Sequence, residues 1–400
     1  MTPGAASGPT RSFAGHPAQA RWALLFGNFT IGCGVMVTTG TLNDLSRSLQ
    51  VSVPVAGQLI AVAAVAMALG APLLAAWVAG VDRRRLLSLA LLWYAAGHLL
   101  SVLMPSYAAL LPMRAIAVLG AAVFTPQAAA AVGVMSPPAE RGRAITFVFL
   151  GWSLASVLGM PLSAWLGESL GWRWAFGGVG ALSALAAAWV WATVPDGVKP
   201  AALTRAHWMQ VFSHPALMAT VLVTVLSSAG QFTLFAYFAP YYREILGASG
   251  SQISTMFLWF GALGVVGNVT LSRHIDKLGA ARAVSWMLGF MACSLLLWPL
   301  GVSLPALALV LTPWALGCFS SNSAQQARLG LAAPALAPAL IALNSSAMYV
   351  GQALGAGSGG AVVAHTGYGP LHWMGLAWML AALATSLWAA QRMKGLPQHG

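Results

Sequence analysis

Twelve long apolar runs, set at regular intervals, decide what this 400-residue chain can fold into. They cover roughly 22–41, 55–79, 86–104, 108–135, 144–166 and 174–194, then 215–241, 252–271, 283–301, 305–327, 338–364 and 371–390. A helix crosses a hydrocarbon core about 30 Å thick with about 20 mostly apolar residues. Each run is long enough, and a soluble core has no place for twelve of them. The sequence predicts an all-α membrane protein with twelve transmembrane helices.

Charge supports this reading. Charged residues make up 6% of the chain, against about 25% in soluble domains. The net charge of +12 would suggest nucleic acid in a soluble protein, but here it is distributed by topology. With a cytoplasmic N-terminus, 15 of the 19 Lys and Arg fall on the cytoplasmic side: Arg11, Arg21, Arg83, Arg84, Arg85, Arg141, Arg143, Lys199, Arg205, Arg273, Lys277, Arg282, Arg328, Arg392 and Lys394. Arg47, Arg173 and Arg243 fall outside, and Arg114 lies within a run. Such asymmetry is the positive-inside signal, and it places both termini in the cytoplasm. No nucleic-acid partner is expected.

Cys33, Cys293 and Cys318 all sit inside apolar runs, where Cys acts as a small hydrophobe. Their scatter excludes a disulfide framework, and no metal or cofactor motif is present. Residues 1–21 lack a signal-peptide layout and read as a disordered cytoplasmic tail. Residues 391–400 read as a second tail.

The longest polar gap, 195–214, divides the spans six and six. Leu158-Gly159 recurs as Leu354-Gly355 and Gly171 as Gly367, both 196 residues on. Leu119-Gly120 recurs as Leu316-Gly317, 197 on, and Asp82-Arg83 as Asp276-Lys277, 194 on. Four pairings at nearly one offset imply an internal duplication. Both copies start from the same side, so residues 22–194 and 215–390 are expected as parallel six-helix bundles joined by a cytoplasmic linker.

Two sets of residues carry a family resemblance. Asp276-Lys277-Leu278-Gly279-Ala280-Ala281-Arg282 matches an acidic-basic-x-Gly-x-x-basic loop, with Asp82-Arg83-Arg84-Arg85 as a degenerate first copy. Span 5 carries Gly151, Gly159-Met160-Pro161 and Gly167, closed by Gly171-Trp172-Arg173-Trp174-Ala175-Phe176. The chain resembles the major facilitator superfamily from about residue 20 to 392, within it the twelve-helix drug:proton antiporter branch. Gly70-Ala71-Pro72-Leu73-Leu74, Gln325-Gln326-Ala327-Arg328 and Ala342-Leu343-Asn344-Ser345-Ser346 support that branch. The resemblance implies a charge latch between the halves at the basic loops. It also implies that span 5 contacts span 11, where Gly351, Gly355, Gly357, Gly359 and Gly360 are its counterparts. Small residues allow such close helix contact, and Pro161 removes a backbone bond and bends the helix. In one respect the chain departs from its relatives: Val35 stands where several carry a first-span carboxylate.

Arg114 is the formally charged residue deep in a span, where a central Arg costs about 2.5–3.5 kcal/mol on insertion scales. Two readings are open: it faces the cavity and pairs with substrate or with Asp44, or it snorkels to the outer interface. His98 is the other titratable group inside a run and reads as a neutral His bonded to a neighbouring helix. Asp44 and Glu244, near the outer ends of spans 1 and 7, are the further coupling candidates. Polar residues mark a cavity wall. Asn322, Gln325 and Gln326 share one face of span 10, and Asn344, Met348 and Gln352 one face of span 11. Asn28, Thr125, Trp152, Gln231, Tyr237 and Tyr241 join them. Any of these amides could equally be interhelical glue. Aromatic and amide groups with little charge suit a small amphipathic ligand.

A membrane enzyme would need a cluster of His, Asp, Glu or Cys near one interface, and the acids here are dispersed. The resemblance instead implies a secondary transporter in a bacterial inner membrane, working as a monomer. Its expected activity is alternating-access efflux of a small molecule in exchange for protons, with uptake as the alternative direction.

Overall fold

The computed structural model describes residues 17–78, 80–137, 140–199, 205–333 and 336–394. Among them the chain is helical and holds no strand. Span 1 is α1 (Pro17–Gly40), followed by a short α2 (Leu42–Ser48); α3 (Val53–Trp77) and α4 (Arg83–Val102) are spans 2 and 3. Span 4 divides into α5 (Tyr107–Ala117) and α6 (Leu119–Met135). Span 5 is α7 (Arg141–Leu154) and α8 (Met160–Ser169), joined by a π-turn over Ala155–Gly159, and α9 (Trp172–Thr193) is span 6. A linker helix, α10 (Arg205–Phe212), precedes span 7, which is α11 (Pro215–Phe235) and α12 (Phe238–Leu246). Spans 8 to 12 are α13 (Gly250–Leu278), α14 (Ala280–Leu297), α15 (Leu304–Ala332), α16 (Ala337–Thr366) and α17 (Leu371–Lys394).

Helix therefore begins at Pro17, inside the expected first tail, and continues to Lys394, inside the expected second one; residues 1–16 and 395–400 lie outside the described residues. Among the described residues, eleven helical spans are both long and apolar enough to cross a bilayer, and α16 is not among them. Its 30 residues have the length. Asn344, Ser345, Ser346, Gln352 and a run of glycines dilute its apolar character.

The interruptions have local causes. Pro161 has no N–H, and beside it the Met160 N–H bonds Ala155 O, one residue further than an α-turn reaches. Pro240 cannot bond the Ala236 carbonyl, so span 7 breaks at Tyr237, whose N–H turns to Leu234 O at 2.8 Å. At the span 4 break the Trp93 indole donates to Ile116 O at 2.8 Å.

Buried apolar side chains gather by halves. One core lies within residues 20–198 and takes in Tyr349, with Met348 packed against it, from beyond. The other is built mainly of residues 223–382 and takes in Met36, Leu42, Ala56, Ile60, Met160 and Ala164. The halves meet where α3 packs on α16 and where span 5 packs on α13.

The expected seam between spans 5 and 11 is replaced by two equivalent seams inside the halves. Added methyl groups at Gly151 and Gly159 would overlap Leu25 O and the Cys33 sulfur of α1, and one at Gly167 would lie 3.0 Å from Thr41. In the second half Gly351, Gly355 and Gly359 press on the Val225, Ala229 and Thr233 carbonyls of α11. Span 5 thus sits on span 1 as span 11 sits on span 7. The small residues serve this close backbone approach, and the larger helix partners across the halves are α13 and α3. Gly171 (φ 96°) and Gly367 (φ 76°), 196 residues apart, make the same left-handed turn before spans 6 and 12.

The candidate substrate cavity

The loops around Asp82–Arg85 and Lys277–Arg282, with the linker, lie at one end of the helices, here the basic end. A cavity of about 550 Å³ lies between the halves. Its wall runs to Ile145, Ile275 and Ile341 at the basic end and reaches Thr39 and Gln352 inside. At the opposite end α12 packs on α1 and α2.

Two features define the chemistry. No Asp, Glu, Lys, Arg or His is among the described residues that line the cavity. Its amides all come from the second half: Gln231 on α11, Asn268 on α13, Asn322, Gln325 and Gln326 on α15, Asn344 and Gln352 on α16. The first half supplies apolar side chains such as Val35, Met36, Phe149, Leu150 and Trp152, with Thr39, Thr125 and Ser153 as its hydroxyls. The cavity has a wet wall and a greasy wall.

The polar residues are held by one device used twice. The Thr125 hydroxyl donates to Asn28 Oδ1 at 2.9 Å, and Asn28 Nδ2 donates to Val148 O at 3.2 Å. In the second half the Thr224 hydroxyl donates to Asn344 Oδ1 at 2.5 Å, and Asn344 Nδ2 to Asn322 Oδ1 at 3.4 Å. Residues 28 and 224, 125 and 322, 148 and 344 are repeat equivalents, 196 or 197 apart. Each half therefore ties its first, fourth and fifth spans at the same point. The first closes on a backbone carbonyl, and the second closes on an amide that lines the cavity. Gln325 donates through Nε2 to Thr220 O, and its buried Oε1 has no partner in the protein. Asn268 Oδ1 is also buried without a partner. Both are buried acceptors, on cavity-lining residues, with no donor in the protein.

Thr125, Trp152, Gln231, Asn322, Gln325, Gln326, Asn344, Met348 and Gln352 line the cavity. Asn28 does not, because Thr125 and Val148 use its amide in a fully buried knot. Tyr237 also lies outside the lining: its hydroxyl donates to Ala356 O at 2.8 Å. Tyr241 is packed between Trp298 and Tyr368. Reading the sequence alone missed Asn268, Phe149 and Ser153, which line the cavity.

Arg114 corrects a further expectation. It is 1% exposed and neither reaches the cavity nor snorkels. Its Nη2 donates to Gly34 O at 2.7 Å, its Nη1 is 3.0 Å from His98 Nε2, and the guanidinium lies 5.7 Å from the Phe176 ring centre. His98 Nδ1 is 2.9 Å from Tyr94 O, so that nitrogen carries the proton and Nε2 accepts from Arg114. Asp44 is not the Arg114 partner: it accepts the Trp172 N–H at 2.7 Å and caps α9. Glu244 is exposed at the end opposite the basic loops. Its charge, after burial, helps push the Tyr368 hydroxyl up to about 12.

The basic loops are separate from the cavity. Asp82 accepts from the Arg84 N–H at 3.0 Å and the Gly197 N–H at 2.6 Å, while Arg84 bonds Trp191 O and Asp196 at 2.7 and 2.8 Å. Arg83 donates to the Val78 and Val81 carbonyls. These bonds stay within the first half and its linker. Gly279 adopts φ 81°, which lets α13 turn directly into α14. Lys277 and Arg282 are exposed, and the Asp276 side chain lies outside the described residues.

A helical bundle with two repeat-related walls around a central cavity, whose described lining carries no charge, defines a polytopic membrane transporter. The Major Facilitator Superfamily profile matches residues 24–356, and the chain belongs to that family. It is 28% identical over 366 residues to the "Inner membrane transport protein YdhP" of Escherichia coli (strain K12), covering 91% of this chain and 94% of that one. It is 28% identical over 348 residues to a "Probable sugar efflux transporter" of Helicobacter pylori (strain G27), covering 87% and 89%. The crystal structure of a D-xylose-proton symporter superposes with a TM-score of 0.74 at 18% identity, covering 92% of this chain and 97% of that one. Relatives and fold are those of transporters and not of enzymes.

Proposed function

We propose that the protein exports a neutral, amphipathic small molecule from the cytoplasm by alternating access, in exchange for protons. One observation carries the substrate class: the described lining residues include no charged side chain, and they set seven amides on one wall against a mainly apolar opposite wall. A charged ligand would lose hydration there without a counter-charge, whereas a neutral one meets donors, acceptors and apolar surface. The two unpartnered oxygens, Gln325 Oε1 and Asn268 Oδ1, favour a ligand with hydroxyl or N–H donors. A polyol or glycoside with an apolar face fits this description, and the printed name of the H. pylori relative agrees with it.

Location in the bacterial inner membrane, termini in the cytoplasm and halves at 22–194 and 215–390 follow the positive-inside pattern and the repeat. The name of the E. coli relative supports the first of these. The basic end is then cytoplasmic, and the cavity is in its inward-facing state. Export and proton exchange rest on the resemblance of the span 5 motif to antiporters. No acid is among the described lining residues, and the coupling acid is sought outside them.

Counterflow into proteoliposomes against a panel of neutral glycosides, with cationic and anionic analogues of each, tests the substrate class. Neutral compounds are expected to exchange and their charged analogues to compete poorly. Exchange confined to charged compounds overturns the reading. For direction, overexpressing cells are expected to retain less of a true substrate than control cells.

A further inference from the structure

We propose that Glu168 is the outer clamp of the transport cycle, a single carboxylate that draws one arginine from each half to the same oxygen. The proposal rests on the alternating-access reading above. Glu168 ends span 5 and belongs to the first half. Its Oε1 lies 3.2 Å from Arg47 of α2 in the same half and 2.5 Å from Arg243 of α12 in the other. Among the described residues, no other ion pair joins the two halves. The stem of Glu168 makes a second crossing. A methyl group added at Gly250, the first residue of α13, would lie 2.6 Å from Glu168 Cγ.

The surrounding charges make this arrangement a switch and more than a simple bond. On α2, Asp44 lies 3.9 Å from Arg47 and is already committed to the Trp172 N–H. On α12, Arg243 Nε and Nη2 have no hydrogen-bond partner, so its contact with Glu168 is ionic. Glu244 beside it is exposed. On α9, Arg173 is turned away, donating to the Val102 and Met104 carbonyls at 3.1 Å. The first turn of α13 carries no ionised side chain. Two acids and two arginines thus balance, with Glu168 between the arginines. Neutralising Glu168 leaves two guanidinium groups of opposite halves facing each other, and attraction becomes repulsion. Closure of the outer end then gives way to opening.

Spin labels at Leu103→Cys and Val302→Cys, exposed residues in outer loops of the first and second halves, report the outer distance by double electron–electron resonance. Cys33, Cys293 and Cys318 are first replaced by Ser. The wild type is expected to show mainly the short, outer-closed distance. Glu168→Gln is expected to raise the ratio of long to short distances about two- to fivefold, the scale of an ion pair that solvent partly screens. Glu168→Gln with Arg243→Gln removes the repulsion and is expected to fall back towards the wild type. Glu168→Asp keeps the charge and is expected to stay closed. High salt should shrink the Glu168→Gln effect. A label pair within one half reports folding, and Arg243→Gln alone carries the test if Glu168→Gln fails to fold. Glu168→Gln with an unchanged outer distance, or a double variant as open as the single, overturns the clamp. A wild-type outer distance that never lengthens with substrate counts against alternating access instead.

Discussion

Arg114 shows how a membrane interior holds a charge without an acid. A buried cation needs acceptors, and here the Gly34 carbonyl, the His98 ring nitrogen and the face of Phe176 supply them. Arg114 is in this setting a strut joining spans 1, 3 and 4. His98→Ala leaves Nη1 without its acceptor and is expected to cost about 1–3 kcal/mol of stability. Its melting temperature in detergent should fall, while His98→Gln, which keeps an acceptor, should recover part of it. Arg114→Lys lacks the planar fork and should fall between the wild type and Arg114→Ala. Folded Arg114 variants are expected to keep substrate affinity; a melting temperature unchanged in Arg114→Ala would refute the strut. In the cavity the opposite split applies. Gln325→Leu removes an amide with an unpartnered oxygen and should weaken substrate binding far more than stability, as ligand titration and melting of the same sample would show.

At the scale of elements, span 5 is fixed by how closely its glycines approach span 1. At Gly151 an added methyl group would meet the Leu25 carbonyl and, at 2.7 Å, the Phe29 nitrogen. Both are backbone atoms of a helix and cannot step aside. Gly178 on α9 has nothing within 4 Å of an added methyl group. Gly151→Ala should therefore sharply lower the yield of monodisperse protein, whereas Gly178→Ala should gain slightly from helix propensity. Size-exclusion profiles of the two variants decide it. The helices themselves were legible because run length and apolar composition are local properties: the run 371–390 became Leu371–Lys394, and 215–241 became Pro215–Leu246 with its break at Tyr237. The partner of a glycine stripe is not a local property. Small residues on spans 5 and 11 announce a close contact without saying with which helix. The fate of Asn28 was hidden for a similar reason, since an amide reads the same whether it faces ligand or Thr125. Glu168 was visible as a span-end acid beside Gly167, but Arg243 lies 75 residues away and only the folded chain unites them.

Across the whole molecule, duplication supplies two equal frames that then diverge in their lining. The polar knot ties three spans in each half, yet its fifth-span member is Val148 in one and Asn344 in the other. Val148 is fully buried and takes no part in the lining, whereas the Asn344 amide adds to the polar wall of the second half. A ligand between such walls is polarised by them, and rocking of the halves would carry its two faces past different partners. The equivalent positions should consequently fail in different ways. Asn28→Val opens the fully buried first knot, leaving the Thr125 hydroxyl without its acceptor, and is expected to cost about 1–3 kcal/mol of stability with little change in affinity among folded molecules. Asn344→Val makes the second knot resemble the first and is expected to cost affinity as well, because Asn344 lines the cavity. Melting curves with and without a transported neutral compound separate the cases. Ligand should raise the melting temperature of Asn28→Val about as much as that of the wild type, and that of Asn344→Val much less. Equal ligand-induced shifts in both variants would mean that the two walls do not divide the work, and that the amide face is not what the substrate reads.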